Sequence, residues 1–305
     1  GNTSVATVSG TPVTIVGAGT SVITVNQVAD DNYNSGTATA TLTVNKFNPI
    51  ISGLNDVVKT YNDPDFNLSA TSSSTGSITY SSSDTSVASI SGSTVTIVGA
   101  GSAIITASQA SDSNYNSATA TASITVLKDD PLVNLSDIDK TFNDPNFNLS
   151  ATSSSTGVFS YSSSNTSVAT ISGATVTIVG AGTAVITVNQ VADSNYNAAT
   201  TTATLSVAKD DPVISISDYT KIYTDSDFNL SATSSSTGSF KYTFEDYSIA
   251  TVSGTLVSII GTGSTTIRVS QEADANYNSA TATASLVINK ADPIIGSFAD
   301  VTKTY

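Results

Sequence analysis

Apolar and hydroxyl-bearing residues alternate one for one along the most regular stretches of the chain. Ala118, Ala120, Ala122, Ile124 and Val126 are separated by Thr119, Thr121, Ser123 and Thr125, and Ala38, Ala40, Leu42 and Val44 alternate with Thr in the same way. Ala280, Ala282, Ala284, Leu286 and Ile288 form a third such run. A period of two sends successive side chains to opposite faces. Each run therefore predicts an antiparallel strand with one buried apolar face and one hydroxyl-lined wet face. β-Branched residues dominate these runs, and no stretch combines helical spacing with caps. Over 48–129 the pattern predicts strands near Ile50–Ser52, Lys59–Tyr61 together with Phe66–Thr71, Ser77–Ser81, Val87–Ser91, Thr94–Val98, Ala103–Gln109 and Ala118–Val126. Turn signals lie between them at Asp63-Pro64, Ser74–Gly76, Ser91-Gly92 and Gly99–Gly101.

The pattern repeats. Tyr33, Tyr115, Tyr196 and Tyr277 stand 82, 81 and 81 residues apart, as do Gly17, Gly99, Gly180 and Gly261, and Pro49, Pro131, Pro212 and Pro293. The run FNLSATSSSTG is identical at 66–76, 147–157 and 228–238. This period exceeds the roughly 20–50 residues of solenoid repeats and suits one complete domain per repeat. About seven short strands in each predict a two-sheet sandwich. The expected architecture is all-β: tandem immunoglobulin-like β-sandwich domains arranged as an elongated rod. The expected domains are a partial repeat at 1–47, full repeats at 48–129, 130–210 and 211–291, and the opening of a further repeat at 292–305. Because the first and last pieces hold only part of a repeat, the chain reads as a segment of a longer array.

Composition narrows the chemistry. The chain has no Cys, His, Met or Trp, so it lacks a thiol nucleophile, a disulfide framework, an imidazole proton shuttle and imidazole metal ligands. The formal charge is −14, and Glu245 and Glu272 are the only glutamates among 24 acidic residues. Ten basic residues are scattered singly and form no patch, which argues against nucleic acid. No apolar run reaches the ~18 residues that a membrane-spanning helix needs.

Ser86–Ala107 (SVASISGSTVTIVGAGSAIITA) has counterparts at Ser4–Val25, Ser167–Val188 and Ser248–Val269. The fourth is the most divergent, with Thr262 between its glycines. These segments resemble the core signature of bacterial Ig-like group 2 domains, which occur in tandem in adhesins and other surface proteins. The opening KTYNDPDFNLSAT (Lys59–Thr71) and the Asp-x-Asn-Tyr-Asn motif before the last strand further resemble repeats of giant Bacteroidetes surface adhesins. That resemblance covers the whole chain. It implies a secreted, extracellular protein at the cell surface, exported by type IX secretion and forming a filament moved by a cell-envelope motor in gliding motility.

Three motifs carry candidate chemistry. The Gly-Ala-Gly turns at 17–19, 99–101 and 180–182 lack the third glycine and following helix of a dinucleotide fingerprint and read as tight turns needing positive φ. The Asp-x-Asn-Tyr-Asn motif occurs at 30–34, 112–116, 193–197 and 274–278. It reads as a loop whose Tyr plugs the end of its own sandwich and bonds a nearby carbonyl. The alternative is surface-polysaccharide contact through Asn114, Tyr115, Asn116, Asn195, Tyr196 and Asn197. The junctions Lys128-Asp129-Asp130-Pro131 and Lys209-Asp210-Asp211-Pro212 leave almost no slack between repeats, which predicts semi-rigid linkage. Their paired acids, Asp129, Asp130, Asp210 and Asp211, are candidate calcium ligands, with Asp63, Asp65, Asp225 and Asp227 nearby in sequence. The junction at Lys46-Phe47-Asn48-Pro49 lacks both acids.

Acid pairs copied into every repeat at open linkers do not suit carboxylate catalysis, which needs two groups across one cleft. The chain is expected to be no enzyme and to have no cofactor beyond that calcium. Its expected partners are neighbouring repeats, surface polysaccharide and cell-envelope motility or secretion components. The leading functional reading is a stalk or filament segment of a surface adhesin that spaces a distal binding region and transmits force to it. Multivalent polysaccharide binding by the repeats and a laterally associating fibre or sheath are the alternatives.

Overall fold

The computed structural model describes residues 1–297 and 299–305, and among these every regular element is a β-strand. Residues 1–47 hold two hairpins, β1 (Ala6–Val8) with β2 (Val13–Ile15) and β3 (Gly19–Gln27) with β4 (Gly36–Val44). Residues 48–129 hold nine segments: β5 (Ile51–Ser52), β6 (Val57–Thr60), β7 (Phe66–Asn67), β8 (Thr71–Ser72), β9 (Ile78–Ser82), β10 (Ala88–Ser91), β11 (Thr94–Ile97), β12 (Gly101–Gln109) and β13 (Ala118–Leu127). One sheet runs β6-β13-β12-β9, with β6 parallel to β13 and the other pairs antiparallel. The strands β7-β11-β10 form a second sheet, and β5 pairs with β8. The same strand order recurs in the two repeats that follow.

The segments expected as Lys59–Tyr61 and Phe66–Thr71 divide into three short strands. The chain leaves the four-stranded sheet at the turn after Thr60 and enters the other sheet at Phe66, so no single ladder can run through. Asp56, at the start of this path, accepts a 2.7 Å bond from the Ser123 N–H just ahead of the parallel pairing; Asp137 does the same for Thr204, and Asp218 for Ser285.

The small-and-large alternation of the sequence becomes core packing. Across the β12–β13 ladder Ala103 faces Ile124 and Ile105 faces Ala122, so large side chains sit opposite small ones, while Thr106 faces Thr121 on the outer surface. Val87, Ala88 and Val95 from the opposing side close the core over Ala103, Ile105, Ile124 and Val126. Burial of these aliphatic faces is the main stabilising term. The following repeat builds its core from Val176, Ile186, Leu205 and Val207; the next from Val257, Ile267, Leu286 and Ile288, where Tyr242 and Phe244 are also buried.

By packing density the chain groups into two compact units. One comprises residues 1–132, 153–158 and 191–199; the other comprises 133–152, 159–190 and 200–305. Two loops of the repeat at 130–210 thus pack with the repeat before them. Residues 292–297 and 299–305 form no strand; the predicted opening of a further repeat at 292–305 includes Phe298, which lies outside the described residues.

Candidate functional site

The loop at 193–197 is organised by one carboxylate. Asp193 accepts the N–H groups of Asn195 and Tyr196 on one oxygen, both at 2.8 Å. Its other oxygen takes the Ser155 hydroxyl and the N–H and hydroxyl of Thr156, at 2.8–2.9 Å. Five donors on one carboxylate favour its charged form, and they hold its pKa far below the ordinary 3.8, with the Thr156 N–H the strongest cause. Asp274 repeats this arrangement, led by the Thr237 N–H, and Asp112 is lowered chiefly by the Ser74 hydroxyl. The Ser-Ser-Ser-Thr-Gly loop on the other side of this contact is also held from within. Gln109 is buried at 2 % exposure; it accepts from Ser72 and donates to the Gly76 carbonyl. The hydroxyl at Ser72 is thus what the buried Gln109 carboxamide oxygen accepts from.

Stiffened in this way, the loop reaches back to the preceding repeat. The linker residue Asp129 donates its N–H to the Asn195 carbonyl at 3.0 Å and accepts from the Asn197 N–H at 2.8 Å, a two-way bridge between backbones. Lys128 donates its ammonium to the Asp193 carbonyl, and Asn197 donates its side-chain amide to Asp130. The Asn195 side-chain oxygen accepts the Ala100 N–H at 3.0 Å, in the middle of the preceding repeat's Gly-Ala-Gly turn. The Tyr196 ring meets Tyr61 edge to face at 5.4 Å, and its hydroxyl accepts from Asn62 at 3.0 Å. Asn62 donates its second amide hydrogen to Asp129 at 3.1 Å. The linker proline, Pro131, is buried.

Local sequence explains each part. Asn62 has φ 70°, a left-handed conformation that Asn tolerates better than most residues, within a turn closed by Asp63 N–H to the Thr60 carbonyl. Gly99 is glycine because a Cβ there would stand 2.7 Å from the Ser86 carbonyl, and Gly101 because its φ is 151°. The expected positive φ thus holds for the second glycine of the turn; the first is required by space.

The joint between 130–210 and 211–291 repeats the set: Phe142 against Tyr277 at 5.4 Å, Asn143 to both the Tyr277 hydroxyl and Asp210, and Asn276 to the Ala181 N–H. At the first joint Phe47 replaces the acid. Its ring meets Tyr115 at 6.3 Å, its backbone keeps the two-way bridge to Asn114 and Asn116, and the Asn116 amide bonds Asn48.

The Asp-x-Asn-Tyr-Asn motif predicts a Tyr at the end of its sandwich with its hydroxyl on a backbone carbonyl. The structure corrects this: the ring of Tyr196 or Tyr277 crosses to the preceding repeat, and the hydroxyl meets an Asn side chain. Of the residues singled out for polysaccharide contact, Asn195, Tyr196, Asn197, Asn114, Tyr115 and Asn116 all make joint contacts. Of the four calcium candidates, Asp129 and Asp210 accept from Asn62 and Asn143, and Asp130 and Asp211 accept from Asn197 and Asn278. Asp63 and Asp225 cap their own turns, and Asp65 and Asp227 bond Thr96 and Ser258. Among the described residues no group of three or more acidic side chains converges as a metal site. The buried glutamines recur once per repeat but carry no motif that marks them, and the joint lysines, which belong to the junction motifs, gain a contact that the motif does not predict.

The fold and these contacts define a class: tandem immunoglobulin-like β-sandwich domains linked by structured joints. No family model and no curated protein matches the chain. Among solved structures it is similar to the insect immune protein hemolin, at 13% identity over 92% of this chain and 95% of that one, with a TM-score of 0.34. It is also similar to the I-band fragment I67-I69 from titin (13% identity, 79% and 98% covered, TM-score 0.33) and to Drosophila N-cadherin EC1-4 (13% identity, 88% and 83% covered, TM-score 0.30). Among the described residues no helix is long and apolar enough to cross a membrane.

Proposed function

We propose that this chain is a non-enzymatic spacer segment of an extracellular adhesion protein, whose locked joints hold a distal binding region away from its anchorage and carry tension to it. The observation that supports this best is the joint itself. Tyr196 and Asn195 tie each repeat to the one before it through an aromatic contact, a side-chain amide and a capped turn, while the linker is bridged by its backbone. A flexible tether needs none of these contacts. The sequence resemblance to giant Bacteroidetes adhesins supports the finer reading: a bacterial surface filament of the gliding-motility type, exported by type IX secretion, with secretion or motility components as partners. The loop residues considered for polysaccharide are engaged between repeats, which favours the mechanical reading over a glycan-binding one.

Pulling single molecules of the chain tests the proposal. Each complete repeat should unfold as one event that lengthens the chain by about 25 nm, given ~3.5 Å per extended residue over one repeat less its folded length. A featureless extension without discrete events would overturn it.

A further inference from the structure

The repeat at 211–291 differs from its neighbours in the charges it carries. Glu245 and Glu272 are the only glutamates of the chain and Arg268 is its only arginine. The lysines recur with the repeat, Lys46, Lys128 and Lys209 at the joints and Lys59, Lys140 and Lys221 over phenylalanine rings, but Lys241 belongs to neither set. The matching positions in the two preceding repeats are uncharged: Thr79 and Ser160 for Lys241, Thr106 and Thr187 for Arg268, Ser83 and Ser164 for Glu245, and Ala110 and Val191 for Glu272.

All four lie on one ladder. Strand Phe240–Phe244 pairs with Gly263–Gln271, which places Lys241 opposite Ser270 and Arg268 opposite Thr243. One further rung at each end adds Glu272, whose N–H meets the Ser239 carbonyl, and Glu245, whose N–H meets the Thr266 carbonyl. Tyr242, Phe244, Ile267 and Val269 are buried in the core, so the alternation turns Lys241 and Arg268 outward, where both are exposed. Glu272, Lys241, Arg268 and Glu245 follow one another at intervals of two residues, a row about 20 Å long in the order minus, plus, plus, minus. Thr283, opposite Arg268 on the strand Ala280–Asn289, and its outward neighbours Thr281 and Ser285 line the row with hydroxyls. Mutual pairing does not use up the cations. Among the described residues neither Lys241 nor Arg268 makes an ion pair or a hydrogen bond through its side chain, and Glu272 accepts only the Ser239 hydroxyl, at 2.8 Å.

A protein partner needs apolar anchors at the centre of its interface, and the residues around these cations offer hydroxyls instead. A carboxylate placed between Lys241 and Arg268 gains charge-assisted bonds from both, two of them from the guanidinium fork. The glutamates at the two ends repel further anions but accept hydroxyl donors. We propose that this sheet face binds an acidic glycan in which a uronic acid is flanked by neutral sugars, its carboxylate on Lys241 and Arg268 and the neighbouring sugar hydroxyls on Glu245 and Glu272. One repeat of the spacer is thereby also a ligand-bearing repeat, at a place away from the joint loops. The spacer role of the joints does not depend on it.

Titration calorimetry of the whole chain with three hexasaccharides tests the site: hyaluronan, which alternates glucuronate with N-acetylglucosamine; hexagalacturonate, acidic at every sugar; and neutral chitohexaose. Hyaluronan is expected to bind at a single site, at least about ten-fold tighter than the other two, because only it offers an anion to the cations without placing others against the glutamates. K241T with R268T installs the residues that the repeat at 48–129 carries at these positions, so the strands are kept, and it should weaken hyaluronan binding at least about ten-fold. Absence of hyaluronan binding, binding that K241T/R268T leaves unchanged, or equally tight binding of hexagalacturonate would overturn the proposal. So would a K241T/R268T chain that differs from the parent only in its urea midpoint, since cross-strand stabilisation alone would then account for the charges.

Discussion

Asp193 shows how a single side chain orders two loops at once. Its five donors come from the loop that carries Tyr196 and from the Ser-Ser-Ser-Thr-Gly loop beside it, so one carboxylate both orders the motif and ties it to its own sandwich. Asp112 and Asp274 hold the same place in their repeats. A carboxyl whose pKa is lower in the folded than in the unfolded state stabilises the fold above the unfolded value and loses that contribution as pH falls through the folded one. With ordinary values of 3.8 in the unfolded chain and all three groups lowered, the melting temperature should hold from neutral pH to about pH 4 and fall below it. Asp193→Asn should flatten that acid limb for its repeat at the cost of a lower melting temperature at pH 7. Thermal melts from pH 2 to 7 read both effects, and an acid limb of unchanged steepness would contradict the role assigned to this residue.

At the scale of strands, the period-two alternation predicts each ladder well because burial of one face is a local property of the sequence. Ile124, fully buried and opposite Ala103, fills the space that its small partner leaves. Ile124→Ala should therefore cost about 2–5 kcal/mol, seen in urea denaturation as one repeat unfolding earlier than the rest. Strand ends are less legible. Lys59–Tyr61 and Phe66–Thr71 read together as one edge, with the alternation clear only over Phe66–Thr71, yet the turn at Asn62 and the change of sheet separate them. Which sheet a short segment joins depends on where the chain can cross the sandwich, and alternation alone carries no such information.

For the whole molecule the decisive elements are the joints. Tyr277→Ala removes an edge-to-face contact and leaves Asn143 without the hydroxyl acceptor, but touches no sandwich core. It should leave the unfolding free energies of the repeats within about 1.5 kcal/mol of the parent, since such aromatic pairs contribute ~0.5–1.5 kcal/mol. It should nevertheless widen the distance distribution between spin labels on cysteines introduced at positions 160 and 241. Chelation with EDTA should leave that distribution unchanged, because Asp210 and Asp211 are held by amide donors; broadening on chelation would assign the junction acids to a cation.

The sequence by itself determined the all-β class, the 81–82-residue period, the apolar faces of the strands and the shortness of the linkers, because each follows from local alternation or from copying along the chain. Only the tertiary structure decided which copy of a residue meets which. Tyr196 faces Tyr61 and Asn62 of the preceding repeat, yet near-identical residues stand within its own repeat at Phe142 and Asn143. In a tandem array a contact within a repeat and a contact between neighbours leave the same sequence signature. Asn62 and Asn143 share a left-handed φ of 70°, so the loop geometry set by Asp193 is what chooses between them.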